Sequence, residues 1–152
     1  MEQQKFSNVS TYSKEAQLNL RLIIGLYRSY SRINRSTLRL LAKYNLTIAQ
    51  FGVLESLYHL GPMRISDIIE KTLSTSGNMT VVIKNLEKDG WISRCTDPQD
   101  RRAFLVAITD KGTKLISTIF PEHIQDLDRL LGNLSEGEKK EFLALMKKLN
   151  GI

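Results

Sequence analysis

Cysteine is almost missing from this 152-residue chain, which has Cys95 alone. That excludes an intrachain disulfide and fits a reducing compartment. The two histidines, His59 and His123, stand far from each other and from Cys95, so no cluster has the spacing of a zinc site. No metal and no cofactor are expected. A nucleophilic enzyme built on Cys95 lacks a base that its sequence surroundings would bring to it, and the protein is not expected to be an enzyme. No apolar run approaches the length of a membrane span, and the opening residues MEQQKFSNVS lack the charged-then-apolar pattern of a secretion signal. The expectation is a cytoplasmic protein with no membrane partner. Repeats and low-complexity segments are also missing.

What is present is one domain's worth of chain with an ordinary share of apolar residues, 41%, enough to build its own core. The net charge of +6 and the isoelectric point near 9.5 suit a polyanionic partner without proving one.

The stretch from Ile65 to Thr109 organises the rest. It reads as a short helix, a turn, a second helix and two strands joined by a basic hairpin. In the second helix, over about 74–89, Met79, Val82, Ile83 and Leu86 share one face at i, i+3, i+4 and i+7. The opposite face carries Gly77, Thr80, Val81, Lys84 and Lys88, with Ser74, Ser76 and Asn78 near the amino end. No carboxylate stands there, whereas a helix made only for water usually mixes charges of both signs. Small residues for close approach, polar groups for base edges and cations for phosphates are what a DNA groove requires. A solvated face that happens to lack acid is the plainer alternative.

Gly90 stands where a helix C-cap glycine belongs. Residues 91–95 and 103–108 read as strands, and Thr96-Asp97-Pro98-Gln99-Asp100-Arg101-Arg102 as the turn between them. Such a hairpin beside a candidate recognition helix makes a winged helix-turn-helix, whose wing can place a guanidinium in the narrow minor groove. Lys84 and the 74–78 segment are the base and phosphate contact candidates, and Lys88 either reaches a phosphate or is solvated. Arg94 is expected to support the base of the wing or a phosphate.

Helical patterns flank this core. A long amphipathic helix over about 13–44 carries Leu18, Leu22, Leu26, Tyr30, Ile33, Leu40 and Leu41 on one side, and Arg21, Arg28, Arg32, Arg35 and Arg39 on the other. Thr47-Ile48-Ala49-Gln50 looks like a capping box for a helix ending at Gly61-Pro62. Ser66 is a candidate N-cap for the short helix after it. Beyond Thr109 a helical run is expected to be kinked or divided at Pro121 and to end at Gly132-Asn133. Ser135-Glu136-Gly137-Glu138 opens a last helix with Phe142, Leu145, Met146 and Leu149 as its stripe. These stripes exceed what a small helix-turn-helix needs for cover, so a homodimer with interdigitated terminal helices is expected. Packing of the stripes against the chain's own core is the alternative.

Leu86-Glu87-Lys88-Asp89-Gly90-Trp91-Ile92-Ser93-Arg94, Asp97-Pro98-Gln99-Asp100-Arg101-Arg102 and Val106-Ala107-Ile108-Thr109-Asp110-Lys111-Gly112 together resemble the MarR family of transcriptional regulators. With the flanking helices, the resemblance covers almost the whole chain. It implies a mainly α-helical winged helix-turn-helix fold with a small β-wing, a single domain over 1–152 with a DNA-binding core over 47–109 and dimerisation helices over 13–44 and 110–150. It further implies a homodimer on a palindromic operator of double-stranded DNA, acting as a repressor and released by a small aromatic or electrophilic effector. In the family the wing's Asp-x-Arg carries DNA contact. Here that is Asp100, which would hold Arg102 in place for the minor groove, and Arg101 could share the role.

Tyr27, Tyr30, Phe51, Leu54 and Tyr58 could line an effector cavity between the first two helices, or be plain core. Cys95 could be a redox switch, its thiolate favoured by Arg94 and Arg102, although a strand cysteine is usually inert packing. The peroxide-sensing branch of the family has its cysteine in the first helix, and Ile23 occupies that position here. A winged-helix module that binds protein instead of DNA is a further class. Modules of that kind usually lack an acid-free recognition face and wing arginines.

Overall fold

The computed structural model describes residues 11–72, 76–100 and 103–152, with the backbone alone at Ser76. Six helices and two strands follow in order: α1 Lys14–Ala42, α2 Ile48–Leu60, α3 Ile65–Thr72, α4 Ser76–Lys88, β1 Ile92–Thr96, β2 Phe104–Ile108, α5 Asp110–Leu131 and α6 Glu136–Asn150. The chain is mainly α-helical with a small antiparallel sheet, as the resemblance implies. It divides into two compact units, Met1–Ser36 and Thr37–Ile152. No helix among the described residues is long and apolar enough to cross a membrane.

In the first unit the helix keeps its apolar residues open: Leu18, Leu22, Ile23, Tyr27 and Tyr30 are all exposed. The second unit holds the core. Leu40 and Leu41 of α1 join Phe51, Val53, Leu54 and Leu57 of α2, Ile68 of α3, the inner face of α4, and Ile116 and Ile119 of α5. The apolar positions of α2 spread around the helix, which suits an element packed on by α3, α4, α5 and β2. Thr47 closes its amino end in a complete capping box with Gln50, and Gly61 ends it.

Two local expectations are corrected. Ser66 is not an N-cap, because α3 begins one residue earlier, at Ile65. The Asp67 carboxylate instead reaches back to accept from the Arg64 backbone N–H at 3.3 Å, the Glu/Gln half of a capping box performed by an aspartate. Nor does Pro121 divide the run after the wing, for α5 is one helix with the proline inside it. The missing N–H falls at an exposed position, while Ile116 and Ile119 on the other face stay buried and hold the helix together. The hydroxyls of Ser117 and Thr118 donate to the Thr113 and Lys114 carbonyls, the kind of back-bonding that lets a helix bend.

The sheet pairs β1 with β2 from Ile92 opposite Ile108 to Thr96 opposite Phe104. A third segment joins it: Met63 exchanges both backbone hydrogen bonds with Val106, at 3.1 and 2.9 Å. The wing is thereby stitched to the turn before α3. Sequence periodicity does not show this bridge, since a single residue has no pattern.

Candidate nucleic-acid interface

The helix α4 takes the orientation that its spacing predicts. Met79, Val82, Ile83 and Leu86 are buried, while Gly77, Asn78, Thr80, Val81, Lys84 and Lys88 are exposed. Among the described residues no carboxylate forms an ion pair with Lys84 or Lys88. Ser74, Arg101, Arg102 and the side chain of Ser76 lie outside the described residues.

The carboxyl end of α4 is closed tightly. Gly90 adopts φ +74°, its N–H bonds to the Glu87 carbonyl at 3.0 Å, and the Trp91 N–H bonds to Leu86 at 3.0 Å. That is the double bond of a Schellman motif, and its left-handed residue is why glycine stands there. The start of α5 then packs on this corner. The Thr109 hydroxyl donates to the Gly90 carbonyl at 2.7 Å, Lys111 Nζ donates to the Asp89 carbonyl at 2.7 Å, and the Thr109 N–H donates to the Trp91 carbonyl at 3.1 Å. Gly112 lies so close that a Cβ there would be 2.2 Å from the Trp91 carbonyl oxygen. The two sequence segments around Asp89-Gly90-Trp91 and Thr109-Asp110-Lys111-Gly112 are thus one joint, which fixes the recognition helix against α5.

The wing has its own anchor, and sequence reasoning missed it. Asp97 is 6% exposed, and its carboxylate accepts from Arg64 Nη2 at 2.7 Å, from Arg64 Nε at 3.0 Å and from the Gln99 backbone N–H at 2.8 Å. The Gln99 N–H and the Arg64 guanidinium hold this carboxyl below its ordinary value, and the same pairing pushes Arg64 up. Arg64 also lies 4.0 Å from the Asp100 carboxylate. Nothing in the spacing of residues 64 and 97 signals the pair, because they meet only through the Met63–Val106 bridge. Arg94 is exposed and pairs with Glu87 at 3.3 Å, which ties β1 to the last turns of α4.

Cys95 is exposed, and its only described partner is the Leu105 carbonyl at 3.7 Å. The expectation that this side chain is packed is therefore corrected: β1 turns only Ile92 into the core and leaves the next four residues outside. Of the five effector candidates, Tyr27 and Tyr30 belong to the first unit and are exposed. In the second unit Phe51 and Leu54 are core, and Tyr58 is partly open, its ring edge-on to His59 at 5.0 Å. A cleft of about 400 Å³ lies between α2 and α3, lined by Ile48, Gly52, Glu55, Ser56, Lys71 and Thr72 among others, and it contains none of the five. Among the described residues no group of His, Cys, Asp and Glu is placed to hold a metal.

The short helix α3, the helix α4 with its acid-free outward face and the hairpin of β1 and β2 define a winged helix-turn-helix, the build of DNA-binding transcriptional regulators. The sequence model of the MarR family matches residues 46–104. The chain is 36% identical to the HTH-type transcriptional regulator MhqR of Bacillus subtilis, over 86% of this chain and 90% of that protein. Its structure is similar to that of Bordetella bronchiseptica BpsR, whose DNA binding is regulated by 6-hydroxynicotinic acid, with a TM-score of 0.75 at 27% identity over 86% of this chain and 98% of that one. Streptomyces coelicolor AbsC, a MarR family regulator, shares the fold with a TM-score of 0.80 at 18% identity, over 92% and 95% of the two chains. The chain belongs to the MarR family of transcriptional regulators.

Proposed function

We propose that the protein acts in the cytoplasm as a homodimeric repressor. It occupies a palindromic operator and is displaced by a small aromatic or electrophilic effector. The observation that carries the DNA-binding geometry is the exposed, acid-free row of Gly77, Val81, Lys84 and Lys88 on α4, joined through β1 and β2 to a hairpin whose sequence ends in Arg101 and Arg102. In this reading Thr80, Lys84 and the 74–78 segment face the major groove, and Lys88 and Arg94 face phosphates. Arg102, held by Asp100 and flanked by Arg101, enters the minor groove.

Homodimerisation is supported by the apolar residues that the terminal helices leave open. On α6, Phe142, Leu143, Leu145 and Leu149 are exposed, up to 69% at Leu149. A second copy would cover them, and its two-fold axis would set two recognition helices on half-sites about one helical turn apart. The aromatic effector is supported by the similarity to BpsR. An effector that prefers a dimer with wrongly spaced recognition helices would release the operator by population shift alone.

The test is selection of bound sequences from random duplex DNA, followed by affinity measurement at two salt concentrations. A two-fold symmetric site, bound less tightly as salt rises, is the expected result. Failure to enrich any sequence would overturn the reading. The exposure of Cys95 favours a second, thiol-based mode of release. If peroxide frees the wild-type protein from the selected site but not Cys95→Ser, that mode operates. Equal release of both removes it.

A further inference from the structure

On the outward side of α4, Val81 is the one large apolar side chain left exposed among the described residues, at 57%. It stands one turn beyond Gly77 and one turn before Lys84, so Gly77, Val81, Lys84 and Lys88 form a single row along the helix. Helix stability gives no reason for valine here. A β-branched residue loses rotamer freedom against the preceding turn, and at 57% exposure it buries less than half of its surface in return. The core face is already filled by Met79, Val82, Ile83 and Leu86. A protein partner gives no reason either, because a single valine between a glycine and two lysines is not an apolar patch.

The surroundings of Val81 are those of a group meant to be approached closely by a polyanion. Gly77 has open space where a Cβ would be, with nothing within 4 Å, so the surface is low on the amino-terminal side of the valine. Lys84 and Lys88 follow on the carboxyl side, one turn apart. In the major groove only one base pair presents an apolar group, the C5-methyl of thymine, and it is read by van der Waals contact with an apolar side chain.

We propose that Val81 is a specificity-determining residue of this interface and reads the C5-methyl group of a thymine in each half-site. This rests on the DNA-binding reading above and adds to it the identity of a base. The contact discriminates thymine from the other bases by burying a methyl group on the valine, while Lys88 holds the phosphate backbone at the distance that makes the contact possible.

The experiment uses the site selected from random duplex DNA and replaces its thymines with deoxyuridine, one symmetric pair at a time. Uracil keeps every hydrogen-bonding edge of thymine and removes only the methyl group. One symmetric pair of replacements should lower wild-type affinity by about fourfold per half-site, the worth of one buried methyl group. Val81→Ser removes both γ-methyl groups with little change in helix propensity. It should bind the thymine and uracil sites with equal affinity while melting at the wild-type temperature. An operator that tolerates uracil at every thymine overturns the proposal with the wild-type protein alone, whatever the variant does. A uracil penalty that survives in Val81→Ser overturns it as well. Failure to enrich any site would instead bring down the DNA-binding reading on which the proposal stands.

Discussion

At Gly112 an added Cβ would lie 2.2 Å from the Trp91 carbonyl oxygen and 2.8 Å from the Ile108 side chain, so glycine is required there by contact and not by backbone angle. The oxygen belongs to backbone that is already fixed by the Thr109 N–H, so it cannot move aside. Gly112→Ala should lower the free energy of unfolding by at least about 1–3 kcal/mol, the usual cost of overpacking, as read from the midpoint of a urea titration. A midpoint equal to that of the wild type would mean the joint between α4 and α5 is looser than its geometry. Asp97 gives a pH-dependent case. Its carboxyl is held below the ordinary range, so the stability it contributes is present above that range and is lost as pH falls through its lowered value. Thermal melts taken from pH 6 to about pH 3 should therefore fall more steeply for the wild type than for Asp97→Asn, which has no charge to lose. Parallel curves would assign the acid sensitivity to other carboxylates, of which Glu122, held low by Lys43 and Tyr44, is the first candidate.

The wing is the element whose behaviour depends most on a distant residue. Arg64 precedes α3, yet it binds Asp97 at the foot of the wing and lies beside Asp100. Arg102→Ala should weaken operator binding by about 1–3 kcal/mol per wing, the scale of a well-placed DNA-contacting arginine, with little change in melting temperature. Asp100→Ala should weaken it less, and the two losses should fall short of additive in a double-mutant cycle, since the carboxylate acts through the guanidinium. Arg64→Ala should behave like a mild version of both, because it frees the foot of the wing without touching α4. Additive losses in operator titrations would show that each side chain acts independently and that the wing is not one unit.

For the whole molecule we expect a second copy to cover the apolar residues that the terminal helices leave open. Leu145 and Leu149 stand 57% and 69% exposed on α6, and Leu18 and Leu22 are equally open on α1. We expect sedimentation to give twice the 17.4 kDa chain mass at low micromolar concentration. Leu145→Lys with Leu149→Lys should shift that mass toward the single chain, while α2–α5 keep their circular dichroism. Operator affinity should drop in the same variant, because half-sites held by separate chains lose the benefit of linkage. A single-chain mass for the wild-type protein across that range would remove the dimer.

Much of this was legible in order along the chain, because helices and caps are local. The four-residue pattern of Met79, Val82, Ile83 and Leu86 specifies which face of α4 turns inward, and the capping boxes at Thr47 and Ser135 specify where α2 and α6 begin, since each is decided by groups within one turn. Asp97 to Arg102 between two β-rich runs specifies a hairpin for the same reason. What only the tertiary structure decided involves residues that meet across long stretches of chain. The Met63–Val106 bridge, the Arg64–Asp97 pair, the exposure of Cys95 on β1 and the survival of α5 through Pro121 all depend on which surface packs on which. The sequence by itself determined the helices, the wing and the family, because periodicity, capping and turn chemistry act over a few residues. Only the packed chain decided how the wing is anchored, because a buried carboxylate finds its arginine through the fold and not through spacing.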